Sequence, residues 1–149
     1  MQGMITHHAQ ALEMVAFLRT RTARDDMRLL AGRIHASQDD EMAFMRRWLE
    51  VRGHATPDAH AHHDQDFGMM PGMLTSGEMA DLSAATGPAF DRLFLEGMIR
   101  HHAGALAMVA GLFATRGAGQ DTEIFAFASD VEADQRIEIS RMQSMLDQR

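Results

Sequence analysis

The chain has 149 residues, the length of one ordinary domain, and its formal net charge is −7. Acidic and basic residues are mixed along the sequence, which argues against the clustered Lys and Arg surface of a nucleic-acid-binding protein. The absence of cysteine excludes disulfides and zinc–thiolate sites, and no apolar run approaches the ~18 residues of a membrane span.

Residues 1–52 are predicted to form a helical hairpin. Its first helix carries the motif GMITHHAQALEMVAFL, residues 3–18, and its second helix carries QDDEMAFMRRWL, residues 38–49. The turn between them lies near TRTARDD, where Thr22 and Asp25 are predicted to form a capping box.

In the first helix, two adjacent histidines straddle the apolar face. At about 100° per residue, His7 and His8 fall within roughly 60° of Met4, on the face predicted to be buried, whereas Gln10 falls on the opposite side. Met4 precedes His7 by three residues and His8 by four, so its thioether can pair with either ring. Met14 lies further along the His7 side. The motif therefore predicts a chelating surface in the core.

The second helix also directs polar groups toward the core. With Ile34 as the reference, Gln38 and Glu41 lie within roughly 40° of the apolar stripe. An unpaired buried polar group costs about 1–3 kcal/mol, so these groups need a side chain, water or metal as partner. Two interpretations stay open, a polar core layer and a metal site.

Residues 53–85 are predicted to be a long crossover, with a loop followed by a short helix that Thr75 and Glu78 cap and that ends near Ala85. The loop offers candidate ligands, because imidazole suits Cu(II), nickel or zinc and thioether suits Cu(I). The candidates are His60, His62, His63, Met70 and Met73. The alternative is a solvated linker that binds no metal.

Residues 86–149 repeat the first half. GMIRHHAGALAMVAGL, residues 97–112, differs from the first motif at four positions, one of which is Gln10/Gly104, and QRIEISRMQSML, residues 135–146, aligns with residues 38–49. The turn RGAGQDT is predicted to end with Asp121 or Thr122 as a helix cap. The repeat makes six residues equivalent to the candidates of the first half: Met98, His101, His102, Met108, Gln135 and Glu138.

Two hairpins joined by a long crossover predict an all-α, ferritin-like four-helix bundle in a single domain, residues 1–149, a topology that forms metal sites in its core. FDRLFLE precedes the second motif, whereas only Met1 and Gln2 precede the first. We therefore expect an upstream stretch, with an export signal as one candidate, before this chain.

Imidazole and thioether recur together in both halves and form a soft ligand set suited to Cu(I) or Ag(I). The first hypothesis is a non-enzymatic copper-binding protein whose affinity falls as pH drops through the imidazole range; its partners are the metal ion and a protein that receives it, or further copies of the chain. The second is a ferritin-like di-iron oxidoreductase, which needs more carboxylates than Glu41 and Glu138. The third is a metal-free structural or partner-binding bundle.

Three stretches together resemble a bacterial family of domains of unknown function numbered 305: MPGM, residues 70–73; FDRLFLEGMIRHHAGALAMV, residues 90–109; and GMITHHAQALEMV, residues 3–15. The resemblance implies a ferritin-like four-helix bundle that is exported or membrane-anchored, hence extracytoplasmic, with copper or silver binding among its members. The family pattern falls on Met4, His7, His8, Met14, Met70, Met73, Met98, His101, His102 and Met108.

Overall fold

The structure is a computed structural model that describes residues 1–57 and 70–148. These ranges contain helices and no strand, which confirms the all-α prediction. The helices are α1 (Gln2–Arg21), α2 (Asp25–Val51), α3 (Ser76–Ala84), α4 (Gly87–Ala114) and α5 (Thr122–Asp147).

Two of the predicted helix caps are confirmed. Thr75 and Glu78 form a capping box at the start of α3, in which the Glu78 amide donates to the Thr75 hydroxyl and the Thr75 amide donates to the Glu78 carboxylate. Asp121 caps α5 by accepting the amide protons of Glu123 and Ile124. Both caps satisfy amides that have no partner within their helix.

The capping box predicted for α2 is wrong. The helix begins at Asp25, so its N-cap is Arg24, which makes no side-chain cap. Thr22 lies two residues before that cap, and its hydroxyl instead accepts the Arg24 amide proton at 3.1 Å inside the turn. Asp25 and Asp26 lie in the first turn, where negative charge is favoured by the helix dipole.

Each long helix packs mainly against the next one along the chain. α1 packs along α2 and α4 along α5, while α1 and α4 also contact each other and α3 touches both. The main apolar core includes Phe90, Phe94 and Met98 of α4 with Met14 of α1 and Ile34 of α2, all 0% exposed. The histidine motifs of α1 and α4 therefore lie where these two helices meet.

In the part of the chain that the structure describes, no helix has both the length and the apolar content needed to cross a bilayer.

Candidate metal centre

Four histidines form a compact group between α1 and α4. His7, His8, His101 and His102 are each at most 1% exposed, which agrees with the face calculated from the sequence. The rings of His7 and His101 lie with centroids 3.8 Å apart and planes inclined by 35°. The ring centroids of each sequential pair are 6.3 Å and 6.2 Å apart. We call these four residues the histidine group.

Two members of the histidine group bond carboxylates from the neighbouring long helices. His8 Nε2 is hydrogen-bonded to Glu41 Oε2 of α2, and His102 Nε2 lies 2.6 Å from Glu138 Oε2 of α5. The glutamates of the two Gln-x-x-Glu segments thus reach equivalent histidines in the two halves.

The other two members bond main-chain carbonyl groups. His7 Nε2 lies 3.0 Å from the oxygen of Pro71, and His101 Nε2 lies 2.9 Å from the oxygen of His7. A carbonyl oxygen can only accept, so both Nε2 atoms carry the proton and donate it. In a neutral ring, Nδ1 is then left with a free lone pair.

All four Nδ1 atoms are buried and have no hydrogen-bond partner among the described residues. Such an arrangement is costly in a metal-free core. It also matches the usual state of a metal-binding histidine, in which one ring nitrogen donates to a carboxylate or carbonyl and the other ligates the ion. The chemistry of these rings therefore suits metal ligation through Nδ1.

Burial keeps the rings of His7, His8 and His101 neutral. Burial, together with the neighbouring imidazoles, lowers the pKa of His7 to about 4 and that of His8 to about 3. Burial, followed by the three other imidazoles, lowers the pKa of His101 well below its ordinary range. At neutral pH the Nδ1 lone pairs of His7 and His101 are therefore not blocked by protons, as ligation requires.

The pKa of Glu41 is shifted in the opposite direction. Burial, together with the negative charges of Asp134 and Glu138, raises its pKa to about 8. Since burial disfavours charge on both Glu41 and His8, their hydrogen-bonded pair is neutral at pH 7. The proton on that pair can sit on either partner, whereas the protons of His7 and His101 are fixed by their carbonyl partners.

Gln38 and Gln135 occupy equivalent positions and are both fully buried. Their amide nitrogen and oxygen atoms make no hydrogen bond within the described residues. In the described part of the chain, glutamine therefore does not satisfy imidazole in a polar layer, although the glutamates do pair with histidine.

The four motif methionines divide between two environments. Met14 and Met98 are 0% exposed in the main apolar core. Met4 and Met108 are half-buried and line a cavity of about 630 Å³, together with Met1 and Met45.

The crossover methionines that the structure describes, Met70 and Met73, lie over the helices. A Cβ added to Gly3 would lie 3.9 Å from Met70 Sδ and 3.7 Å from Met108 Cε, so these two side chains converge at the start of α1. Met73 is 6% exposed.

The position predicted for Gln10, on the outer side of α1, is wrong. Gln10 is only 5% exposed, because residues 70–74, which we call the strap, cover that side of the helix. Its amide nitrogen donates to the Leu74 oxygen at 2.9 Å, and its amide oxygen accepts the Leu74 amide proton at 2.8 Å.

Sequence analysis missed Gln10, the Pro71 carbonyl and Gly104 as parts of this site. A signal was present, because Gln10/Gly104 and Thr6/Arg100 are two of the four differences between the repeated motifs. Arg100 pairs with Glu78 of α3 at 2.7 Å, so both differences lie where the crossover is held.

The loop candidates His60, His62 and His63 lie outside the described residues. Within residues 1–57 and 70–148, no group of three or more His, Asp or Glu side chains is arranged to hold a metal ion. A site at the histidine group thus needs thioether ligands or a change in side-chain positions.

A profile of the family described as a domain of unknown function, DUF305, matches residues 1–146. A DUF305 fragment from Deinococcus radiodurans is 32% identical, with 99% of this chain and 93% of that chain covered and a TM-score of 0.86. A Streptomyces coelicolor protein described as "putative secreted protein DUF305" is 30% identical, with 97% and 88% covered and a TM-score of 0.81.

A third similar structure is CopM. Its Cu(II)-bound form is 25% identical to this chain, with 97% of this chain and 91% of that chain covered and a TM-score of 0.79. Its Cu(I)-bound form aligns at 23% identity over 99% and 95%, with a TM-score of 0.75, which shows the shared fold. No curated protein sequence matches the chain significantly.

Proposed function

This chain belongs to the DUF305 family, and from that premise we propose that it is a non-enzymatic protein that binds Cu(I) and sequesters the ion or passes it on. Ag(I) is the second soft ion that the same ligands suit. Iron fits less well, because carboxylates are few at the histidine group and a di-iron site needs several.

The observation that carries the proposal is the set of four buried Nδ1 atoms that have no hydrogen-bond partner among the described residues. Each ring is held through Nε2, and for His7 and His101 the partner is a carbonyl group, which leaves Nδ1 as the ligating atom. His8 and His102 present the same atom when their Nε2 proton is donated to Glu41 and Glu138. Burial keeps His7, His8 and His101 neutral, so one nitrogen of each ring carries a lone pair at physiological pH.

Thioethers complete the proposed ligand set. Met4 and Met98 precede the histidine pairs by one helical turn, and Met70 and Met108 converge at Gly3. Met14 and Met73 supply further thioethers, and His60, His62 and His63 are proposed to capture the ion first. Thioether with imidazole favours Cu(I) over Mg²⁺, Ca²⁺ or Mn²⁺.

The relatives support the proposal at a coarser level. CopM is copper-bound in its solved structures, and the Streptomyces coelicolor relative is described as secreted. We propose by analogy that this chain acts outside the cytoplasm and that its α1–α2 and α4–α5 pairs form the two hairpins of a ferritin-like four-helix bundle. These are proposals for this chain.

The test is a competition titration of metal-free protein with Cu(I) and a chromophoric Cu(I) chelator, under anaerobic conditions. The protein is purified without chelator or histidine-affinity resin, and metal content is also measured as isolated. The key variant is His101→Ala/His102→Ala. His35→Ala is the matched control, because His35 is exposed on α2.

We expect parent and control to bind Cu(I) equally and the double variant to lose the high-affinity component. Unchanged affinity and stoichiometry in the double variant would overturn the core site. Two iron ions per chain as isolated would favour the di-iron oxidoreductase, and failure to retain any metal would favour a structural bundle.

A further inference from the structure

The strap lies on α4 at Gly104 with no space between the two backbones. A Cβ added to Gly104 would lie 1.9 Å from the oxygen and 2.5 Å from the carbonyl carbon of Pro71. Both atoms belong to the main chain, so no side-chain rotation can relieve the overlap. Glycine is therefore the only residue type at position 104 that permits the observed path of the strap.

Gly72 forms the other side of the same contact. Its φ is +76°, and an added Cβ would lie 2.3 Å from the Arg100 oxygen and 2.9 Å from the Gly104 Cα. Two glycines thus face each other, one in the strap and one in α4.

The carbonyl group held by this contact is the one that accepts the His7 Nε2 proton at 3.0 Å. Gln10 fixes the other end of the strap through two hydrogen bonds to Leu74. The strap is thus attached at two points, by the glycine contact with α4 and by the two Gln10 hydrogen bonds from α1. The Pro71 carbonyl that accepts from His7 lies at the α4 contact.

We infer that Gly104 is a positioning residue for the metal ligand His7: by letting the Pro71 carbonyl seat on α4, it fixes the His7 proton on Nε2 and leaves Nδ1 free to ligate. The inference deepens the proposed function and rests on it for the role of Nδ1. The tautomer itself follows from the apo geometry alone.

The test compares Gly104→Ala with Gly32→Ala in metal-free protein labelled with ¹⁵N-histidine. Gly32 lies inside α2, and a Cβ added there would meet nothing within 4 Å, so both variants carry the same helical Gly-to-Ala change. Long-range ¹H–¹⁵N correlation spectra report which ring nitrogen is protonated. Cu(I) affinity is measured in parallel by competition.

In the parent and in Gly32→Ala, we expect His7 to be protonated on Nε2. In Gly104→Ala, Pro71 must move, so we expect the His7 ring nitrogens to show a tautomer mixture and Cu(I) affinity to fall about 10–100-fold. Gln10→Ala releases the strap without adding volume and is expected to act in the same direction, which keeps the test informative if Gly104→Ala does not fold.

An unchanged His7 tautomer in whichever strap variants fold would overturn the inference, as would a changed tautomer with unchanged Cu(I) affinity. If the parent binds no Cu(I), the proposed function fails. The apo spectra then still decide whether Gly104 fixes the His7 tautomer.

Discussion

The imidazole of His101 donates its Nε2 proton to the main-chain oxygen of His7 at 2.9 Å, and the two rings lie with centroids 3.8 Å apart. The acceptor belongs to the backbone of α1, so the orientation of a ring on α4 depends on how these two helices pack. Rotation of the His101 ring would break this bond. The direction of its Nδ1 lone pair is therefore fixed by the fold rather than by another movable side chain.

The His102–Glu138 bond is expected to contribute to stability without metal. Glu138→Ala should lower the free energy of unfolding by about 1–3 kcal/mol, because it leaves the buried His102 Nε2 unpaired. In Glu138→Gln the amide oxygen can still accept a proton from His102 Nε2, so this variant should lose less stability. Urea unfolding of the apo protein measures both. Asp130→Ala, an exposed change on α5, should stay within about 0.5 kcal/mol; equal effects at 130 and 138 would contradict the prediction.

Apo stability should be greatest near pH 6.5. Below that pH, unfolded histidines with a pKa of 6.5 take up protons that folded His7, with a pKa of about 4, does not, so stability falls as pH falls. Folded Glu41, with a pKa of about 8 against 4.5 unfolded, holds a proton that the unfolded chain releases, so it lowers stability as pH rises from 4.5 to about 8. Below pH 6.5 the combined effect of His7, His8 and His101 is larger, and the net decline therefore runs from about pH 6.5 to about pH 8. Melting temperatures from pH 4.5 to 9 test this, and Glu41→Gln should remove the alkaline decline; a decline of equal slope in parent and variant would exclude Glu41 as its source.

Copper affinity should tolerate acid better than the sequence suggested. An ordinary imidazole would begin to lose copper below about pH 6.5. Because burial lowers the pKa of His7 to about 4 and of His8 to about 3, we expect affinity to hold down to about pH 5 and to fall below it. Cu(I) competition at several pH values measures this, with each competitor calibrated at the same pH. A steady loss beginning near pH 6.5 would point to exposed histidines as the ligands.

Met98→Leu separates ligation from packing. Met98 is 0% exposed, and a volume-conserving change should cost less than about 1.5 kcal/mol of stability. If the thioether ligates, Cu(I) affinity should fall while thermal stability of the apo protein stays close to that of the parent. Met142→Leu is a matched control, since Met142 is also 0% exposed in the same core but lies outside the histidine motifs. Equal copper affinity in both variants would assign Met98 to packing alone.

The sequence predicts a loop around His60, His62 and His63, so replacing all three with Ala should lower the copper stoichiometry and leave stability within about 0.5 kcal/mol per site. Metal analysis after dialysis and a thermal melt measure the two effects. An unaltered stoichiometry would mean that this loop is a linker and that the core holds all the bound copper.

Helical periodicity was sufficient to predict which face of α1 and α4 is buried, because a 100° rotation per residue leaves little freedom once the apolar positions are known. The same calculation failed for Gln10, since it treats a helix as having one covered face. A crossover that packs over the other face is invisible to it. Caps at Thr75 and Asp121 were predictable because the partners lie within three residues along the chain.

The choice between the two ring nitrogens could not be predicted from sequence. It depends on main-chain oxygens at Pro71 and His7, which every residue type possesses. The pKa directions likewise depend on burial depth and on the approach of four rings from two helices. Sequence could supply the residue types of the site but not the atoms that face inward.

The Gln10/Gly104 difference shows how two repeated helices accommodate a single connecting segment, the strap. The repeat makes Gln10 and Gly104 equivalent positions, and the strap contacts both of them. Gln10 hydrogen-bonds the strap, whereas Gly104 has no side chain and so leaves room for its backbone. Exchanging the two side chains would leave the composition and the helix pattern unchanged and still dislodge the strap. The two halves are thus not interchangeable, and the sequence repeat departs from symmetry at the pair of positions against which the strap packs.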